Sequence, residues 1–321
     1  MRVLITGGAG FIGRHLVQRL VGNPRHEVVV LDNLHRAERP DAKGFTWIQG
    51  DVRDREAVAA AMRGSDVVFH LAAESNVIGA LRDLDYSFST NVVGTYNVLS
   101  AARAAGVGKV VFTSSREVYG EPARLPVAET ARLEPKNAYG ASKLAGEECC
   151  RAYAREILQV TTLRLTNVYG PGDAGRVIPE FVRNALWNEP LVLYGGEQVL
   201  DFVWIDCVTD ALLGAMDLDS SVGPVNIGSG IGTTVRALAE LILRQIPSAG
   251  GIIREEPRNV EVRSFVADVR KAISRGMINE PGGSLEYLGR VVEFERCRLH
   301  SAAAGFEQAA LKAEALGIMS C

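Results

Sequence analysis

MRVLITGGAGFIGRHL, residues 1–16, sets a strand, a glycine-crowded turn and a helix in immediate succession. Val3, Leu4 and Ile5 form a short continuous apolar run of the kind a strand buried on both faces carries. Phe11, Ile12, Leu16, Val17 and Leu20 then recur at helical spacing. Between them stand Gly7, Gly8, Gly10 and Gly13. Glycine tolerates positive φ and has no side chain to hold another backbone or a ligand away, so this turn is suited to close approach.

The spacing satisfies G-x-G-x-x-G through Gly8, Gly10 and Gly13, and G-x-x-G-x-x-G through Gly7, Gly10 and Gly13. Placed between a strand and a helix, such a turn aims free N–H groups and the positive end of the helix dipole at a diphosphate. Asp32 closes the second strand, HEVVVLDN (26–33). A carboxylate there accepts hydrogen bonds from both hydroxyls of a ribose and repels a phosphate on it, which favours NAD over NADP. Arg36 stands close enough in sequence to weigh the other way. Asp51 and Val52 end the third strand and are placed beside the adenine; Asp51 equally suits the cap of the helix that follows.

Working outward, strand and helix signals alternate. FTWIQGDV (45–52), SDVVFHLAA (65–73) and KVVFTSS (109–115) read as strands, and 54–63, 87–105 and 139–156 as amphipathic helices. Later strands fall at VTTLRLTNVYG (160–170) and PVNIG (224–228). Short apolar strands separated by helices predict a doubly wound parallel α/β sheet of the Rossmann type. The first domain spans 1–170, with segments near 200–230 returning to it. From 171 to 321 Pro and Gly break the alternation, which predicts a smaller lobe over the carboxyl edge of the sheet. The tail from Leu299 onward reads as a terminal helix.

The chain has 321 residues, 47% hydrophobic and 23% charged, with a formal net charge of -3. That balance gives no electrostatic reason to expect nucleic acid or an anionic membrane as partner. No apolar run approaches the roughly 20 residues of a membrane-spanning helix, and residue 2 already begins a strand rather than a secretion signal. Five unpatterned cysteines point to reduced thiols and a cytoplasmic setting. Five histidines, none paired at ligand spacing, give no metal site.

YGASK puts Tyr139 and Lys143 at i, i+4 on one helical face. A phenol titrating near 10 is a poor base at neutral pH, and an adjacent ammonium together with a nicotinamide cation favours its phenolate. Lys143 also suits the nicotinamide ribose. Ser115 ends the strand in TSSREVYG and points toward the same space. Ser115, Tyr139 and Lys143 together fit proton removal from a sugar hydroxyl while hydride leaves its carbon for NAD.

TGGAGFIG, LDN, GDVRD, HLAAES, TNVVGTYNVL, SSREVYG, YGASKLAGE, LRLTNVYGPG and VADVRKA cover roughly 1–275. In these segments the chain resembles the extended short-chain dehydrogenase/reductase family, in its branch of NAD-dependent nucleotide-sugar epimerases and dehydratases. The resemblance implies Ser115, Tyr139 and Lys143 as catalytic residues. It places Gly7, Gly10, Phe11, Ile12, Asp32, Asn33, Asp51, Val52, Leu71, Ala72, Ala73 and Asn91 around NAD, with Tyr139 and Lys143. It puts Asn167 and Arg263 on the substrate diphosphate and Tyr194, in PLVLYGGEQ, against the nucleotide base. It implies a homodimer paired through a four-helix bundle from 87–105 and 139–156. Two departures stand out: Leu200 where the family has an arginine on the diphosphate, and Cys207 in place of an aspartate.

The family's reactions share oxidation at C4 of the sugar and then diverge. Where a 4,6-dehydratase carries an acid–base pair, this chain has Arg116 and Glu117. Guanidinium holds its proton above pH 12 and cannot protonate a leaving hydroxyl. The reading favoured is therefore a UDP-sugar 4-epimerase. The alternatives are a 4,6- or 5,6-type dehydratase with Glu117 as C5 base, or an enzyme of UDP-uronates in which Arg116 binds the carboxylate. Arg116 and Glu117 also fit a solvated or mutually paired couple at a strand end. A non-catalytic NAD-binding scaffold is the minor alternative, set against the intact Ser115, Tyr139 and Lys143.

Overall fold

The structure is a computed structural model describing residues 1–39, 42–155, 158–218, 221–279 and 284–300. Its strands are β1 (Arg2–Thr6), β2 (Glu27–Asp32), β3 (Phe45–Gln49), β4 (Val67–His70), β5 (Lys109–Ser115), β6 (Gln159–Leu165), β7 (Asn167–Tyr169), β8 (Leu191–Tyr194), β9 (Val199–Trp204), β10 (Val225–Ile227), β11 (Gly232–Thr234) and β12 (Ile252–Glu255). Seven make one sheet in the order β10-β6-β5-β4-β1-β2-β3, and every pair in it is parallel. β1 has β2 on one side and β4 on the other, so the strand order reverses there and opens a crevice at the carboxyl ends.

The apolar runs are explained by burial of both faces. Val3 and Ile5 of β1, Val28 and Val30 of β2 and Phe69 of β4 enter one core cluster. Leu4, Val29, Leu31 and Val68, the residues between or after them, enter the cluster on the opposite face. Alternation persists, but both directions end in protein, as a parallel sheet covered by helices requires. The first cluster runs on through Phe181, Leu191, Leu238, Phe265 and Leu288, so the carboxyl-terminal elements share a core with the sheet.

Three differences from the sequence reading have local causes. The stretch 160–170 is two strands: β6 joins the large sheet, whereas β7 pairs with β9 in a three-stranded sheet with β11. Thr166 marks the switch, its N–H donating to the carbonyl of Ile227. The stretch 87–105 is interrupted: helices Leu84–Phe88 and Thr95–Ala104 flank a π-helical turn, Ser89–Gly94. There the Thr95 hydroxyl donates to the Asn91 carbonyl at 2.7 Å, competing with the regular backbone ladder. Finally, residues 288–300 are helical, with Leu288, Val291 and Val292 buried; 301–321, the rest of the expected tail helix, lie outside the described residues.

β10 returns to the large sheet beside β6. Among the described residues no helix is long and apolar enough to cross a membrane.

Candidate active site

A cavity of about 500 Å³ opens at the carboxyl ends of the strands. Its wall brings together Gly7, Gly10, Phe11, Ile12, Asp32, Asn33, Val52, Leu71, Ala72 and Ala73 from one side. Ser115, Arg116, Glu117, Tyr139, Lys143, Asn167 and Tyr194 complete it. Residues separated by nearly two hundred positions therefore meet in one space.

The glycine turn is built for a ligand. Gly7 has φ +74, and a Cβ on it would lie 2.6 Å from the backbone N of Ala72. A Cβ on Gly13 would lie 2.3 Å from the Gly7 carbonyl oxygen, so β1 and the helix Phe11–Val21 pack closer than any side chain permits. That helix has no side-chain cap at Gly10 and no acidic residue in its first turn. Its leading N–H groups are left for an anion. Asp32 accepts from the N–H of Ala9 at 3.0 Å and of Leu34 at 2.8 Å, which fixes the carboxylate at the end of β2. Arg36 is engaged away from it, with Nη1 2.8 Å from Glu74 Oε1. The donor set suits the diphosphate and free ribose hydroxyls of NAD.

Ser115, Tyr139 and Lys143 come into the cavity from β5 and the helix that follows it. The helix Ala138–Ala154 is capped by Asn137, whose Oδ1 accepts the N–H of Gly140 at 2.8 Å, and it presents Tyr139 and Lys143 together. Burial pushes the Tyr139 phenol up to about 12, against the hydrogen bond from Ser115 and the charge of Arg176, which draw it down. Burial also brings Lys143 down to about 8, and its Nζ donates to the Thr113 carbonyl at 2.9 Å. Beneath them burial and the Lys143 charge lower His70 to about 3, so it is a neutral ring hydrogen-bonding Thr6 Oγ1 at 2.7 Å and Thr95 Oγ1 at 3.0 Å.

Arg116 and Glu117 begin a 3-10 turn after β5, capped by the Ser115 hydroxyl. They are paired: Arg116 Nη2 lies 2.8 Å from Glu117 Oε1. Asn137 Nδ2 donates to Glu117 Oε2 at 2.7 Å, and Arg116 Nε donates to Asn167 Oδ1 at 3.0 Å. Both carboxylate oxygens are thus occupied within the protein.

Three expected residues do not line the cavity. Against the cost of burial, hydrogen bonds from Arg53 and Asn33 hold the Asp51 carboxyl down at about 2, and Arg53 in turn lies over Tyr86, 4.6 Å from the ring centroid. Asn91 is buried and braces the wall from behind: its Oδ1 accepts the Glu74 N–H at 2.8 Å and its Nδ2 donates to Ser142 Oγ at 2.8 Å. Arg263 is exposed, its N–H donating to the Glu121 carboxylate.

Sequence reading missed Arg258, which does line the cavity and lies over Tyr194, 3.6 Å from the ring centroid. It also missed Asp173 and Arg176, an ion pair in the wall. All three sit in loops without periodicity. Leu200 lines the cavity, so the departure there leaves an apolar wall. Its neighbour Asp201 is fully buried and accepts from the N–H groups of Ser229, Gly230 and Ala267, knotting β9 to two later loops.

The family model described as "NAD dependent epimerase/dehydratase family" matches residues 3–228. A putative UDP-glucose 4-epimerase of Methanocaldococcus jannaschii is 37% identical over 287 residues, 85% of this chain and 92% of that one. The solved UDP-glucose 4-epimerase of Thermotoga maritima with UDP-glucose superposes with a TM-score of 0.88 at 33% identity, over 93% of this chain and all 100% of that one. MoeE5, solved with UDP-glucuronic acid and NAD, gives 0.87 at 32% identity, over 93% and 100%. With the glycine turn, Asp32 and the Ser115–Tyr139–Lys143 group in one cavity, the chain belongs to the NAD-dependent epimerase/dehydratase family of nucleotide-sugar enzymes, with NAD as its cofactor.

Proposed function

We propose that the protein is a UDP-sugar 4-epimerase, acting on a sugar nucleotide held between the glycine-turn side of the cavity and Tyr194. NAD would be held by the Gly7–Gly13 turn, Asp32 and the 71–73 segment, and when bound it supplies a hydride acceptor and donor for C4. Tyr139 Oη takes the proton of the C4 hydroxyl, with the Ser115 hydroxyl shared between them; once the ketone has turned its other face toward the place the nicotinamide would occupy, Tyr139 Oη returns the proton to the C4 oxygen. The phenol needs further help to ionise, since burial holds it at about 12 even with the Ser115 hydrogen bond and the Arg176 charge drawing it down. Lys143, fixed on the Thr113 carbonyl, adds positive charge below about pH 8 and suits the nicotinamide ribose. Asn167 and Arg258 face the diphosphate and base.

The single observation that carries this choice over a dehydratase is the state of Glu117. One carboxylate oxygen is held by Arg116 and the other by Asn137, so the group that would abstract a C5 proton is committed to structure. An epimerase needs proton transfer only at C4, where Ser115 and Tyr139 stand. The 37% identity to a putative 4-epimerase over most of both chains supports the same choice.

The test is proton NMR of the NAD-loaded enzyme with UDP-glucose and UDP-N-acetylglucosamine. The expected product is the C4 isomer. Keto or unsaturated sugar signals would replace this reading with elimination, and failure to turn over any nucleotide sugar would end it.

The assembly is proposed to be a homodimer. Leu81, Leu84, Phe88 and Tyr96 are exposed apolar side chains on neighbouring helical turns, between 41% and 58% accessible. Tyr96 meets Tyr153 of the helix Ala138–Ala154 edge-on at 6.5 Å, so the two helices offer one face.

A further inference from the structure

Arg36 and Glu74 make an ion pair between two separate banks of the crevice, with Arg36 Nη1 2.8 Å from Glu74 Oε1. Arg36 stands shortly beyond Asp32, the last residue of β2, and Glu74 shortly beyond His70, the last of β4. In the sheet β1 lies between those two strands, and its end runs into the glycine turn. Each bank also touches that turn from its own side. Asp32 accepts the N–H of Ala9 at 3.0 Å, and a Cβ on Gly7 would lie 2.6 Å from the backbone N of Ala72. The pair therefore joins the banks beyond the strand that carries the glycine turn.

The partners are held unequally. Glu74 is buried, its N–H on Asn91 Oδ1 at 2.8 Å and its carbonyl on Asn91 Nδ2 at 3.0 Å. Its Oε1 accepts the N–H of Asn76 at 3.3 Å and packs so close to Gly79 that a Cβ there would lie 2.6 Å away. That carboxylate is a fixed post. The Arg36 side chain is 41% accessible and Arg36 lines the cavity, so it is the partner able to swing. A third segment meets it: Asn76 Nδ2 donates to the Gly175 carbonyl at 3.3 Å, and a Cβ on Gly175 would come 4.0 Å from Arg36 Nη2. The guanidinium sits where the segments after β2, β4 and β7 converge.

We propose that Arg36 and Glu74 form a strap over the glycine-turn end of the cavity, which must part for NAD to enter or leave. This rests on NAD as the cofactor and not on the 4-epimerase reading. Both partners belong to the chain, so the strap slows passage in both directions. A charge-assisted bond to a buried carboxylate is screened little by solvent, which makes its opening infrequent. In a reaction that takes a hydride from C4 and returns it, slow exchange guards the half-finished turnover.

The experiment loads the protein with NADH, mixes it with excess NAD and follows the loss of bound-NADH fluorescence, which gives the release rate. Calorimetry gives Kd for NADH, and the two together give the association rate. The proteins are wild type, Arg36→Gln, Arg36→Lys, Glu74→Gln and the double variant Arg36→Gln/Glu74→Gln. Release and association are expected to rise together by about 10-fold in each Gln variant, with Kd held within about 3-fold. The double variant is expected to be no faster than the faster single one, because all three break the same contact, and Arg36→Lys to fall between wild type and Arg36→Gln. A merely structural role would lower the melting temperature without this paired change in rates. Faster release with a matching loss of affinity would overturn the strap and make Arg36 a direct contact of the dinucleotide. Unchanged rates in Arg36→Gln would overturn it, as would additive effects in the double variant. Should Glu74→Gln fail to fold, the two Arg36 variants carry the test, since that side chain is half-exposed.

Discussion

Asn137 joins Glu117 to the helix Ala138–Ala154: its Nδ2 donates to Glu117 Oε2 at 2.7 Å while its Oδ1 accepts the N–H of Gly140 at 2.8 Å. The carboxylate two residues after Ser115 thereby helps to set where Tyr139 begins its helix. Glu117→Gln keeps an acceptor for Arg116 and is expected to retain 4-epimerase turnover within about 10-fold. Loss of a true general base costs roughly 10²- to 10⁴-fold. Proton NMR time courses distinguish the two. Glu117→Ala, which strands Arg116, is expected to destabilise the fold by about 3–5 kcal/mol in urea unfolding.

Tyr139→Phe removes the hydroxyl and little else, since the ring stays in its buried place. Turnover is expected to fall by about 10²- to 10⁴-fold. NAD affinity, followed by calorimetry, is expected to change little, because the glycine turn and Asp32 are untouched. A scaffold without chemistry would show no activity in either protein.

Lys143 makes the site unstable in a pH-dependent way. Burial lowers it from the ordinary 10.5 to about 8. Between those values the unfolded chain holds a proton the folded one has lost, so stability rises with pH across that window. Below about pH 8 the whole cost of a buried ammonium is present. Lys143→Met is therefore expected to stabilise by about 1–3 kcal/mol at pH 7, with the gain shrinking toward pH 10.5. Thermal melts at both pH values check it.

Gly7→Ala is expected to abolish measurable NAD binding and lower the melting temperature. The position has φ +74, and the new Cβ would meet the Ala72 backbone N at 2.6 Å. Left-handed strain on a non-glycine residue costs of order 1 kcal/mol or more, before the clash is counted. Titration calorimetry with NAD and a melting curve give both readouts.

Phe88, 58% accessible, is the most exposed of the apolar side chains on that helical face. Phe88→Asp is expected to turn a dimer into a monomer in sedimentation velocity, without loss of the folded circular-dichroism signal. A wild-type monomer would remove that proposal.

Most of the sheet was legible because burial on both faces leaves runs such as Lys109–Ser115 that contain little else but strand. The glycine turn and the Tyr139–Lys143 pair were legible because each follows from local spacing. What escaped depended on partners far along the chain. The π-helical turn at Ser89–Gly94 goes with Asn91 bonding Glu74 and Ser142, neither of which a periodicity in 87–105 can announce. Arg258 was missed and Arg263 expected because two arginines five positions apart in an aperiodic loop differ only in which one the fold turns inward. The pairing of Arg116 with Glu117 was one of several sequence readings, and the positions of Asn137 and Asn167 explain how both ends are held.

Among the described residues β8, the strand that carries Tyr194, pairs with β12 and with no other strand, in a ladder separate from the seven-stranded sheet that carries the glycine turn. If Tyr194 lies against the base as proposed, drift in that small two-stranded unit alters which base is welcomed without a single register change beneath the glycine turn. A lineage built this way can try new sugar nucleotides while its redox half stays fixed.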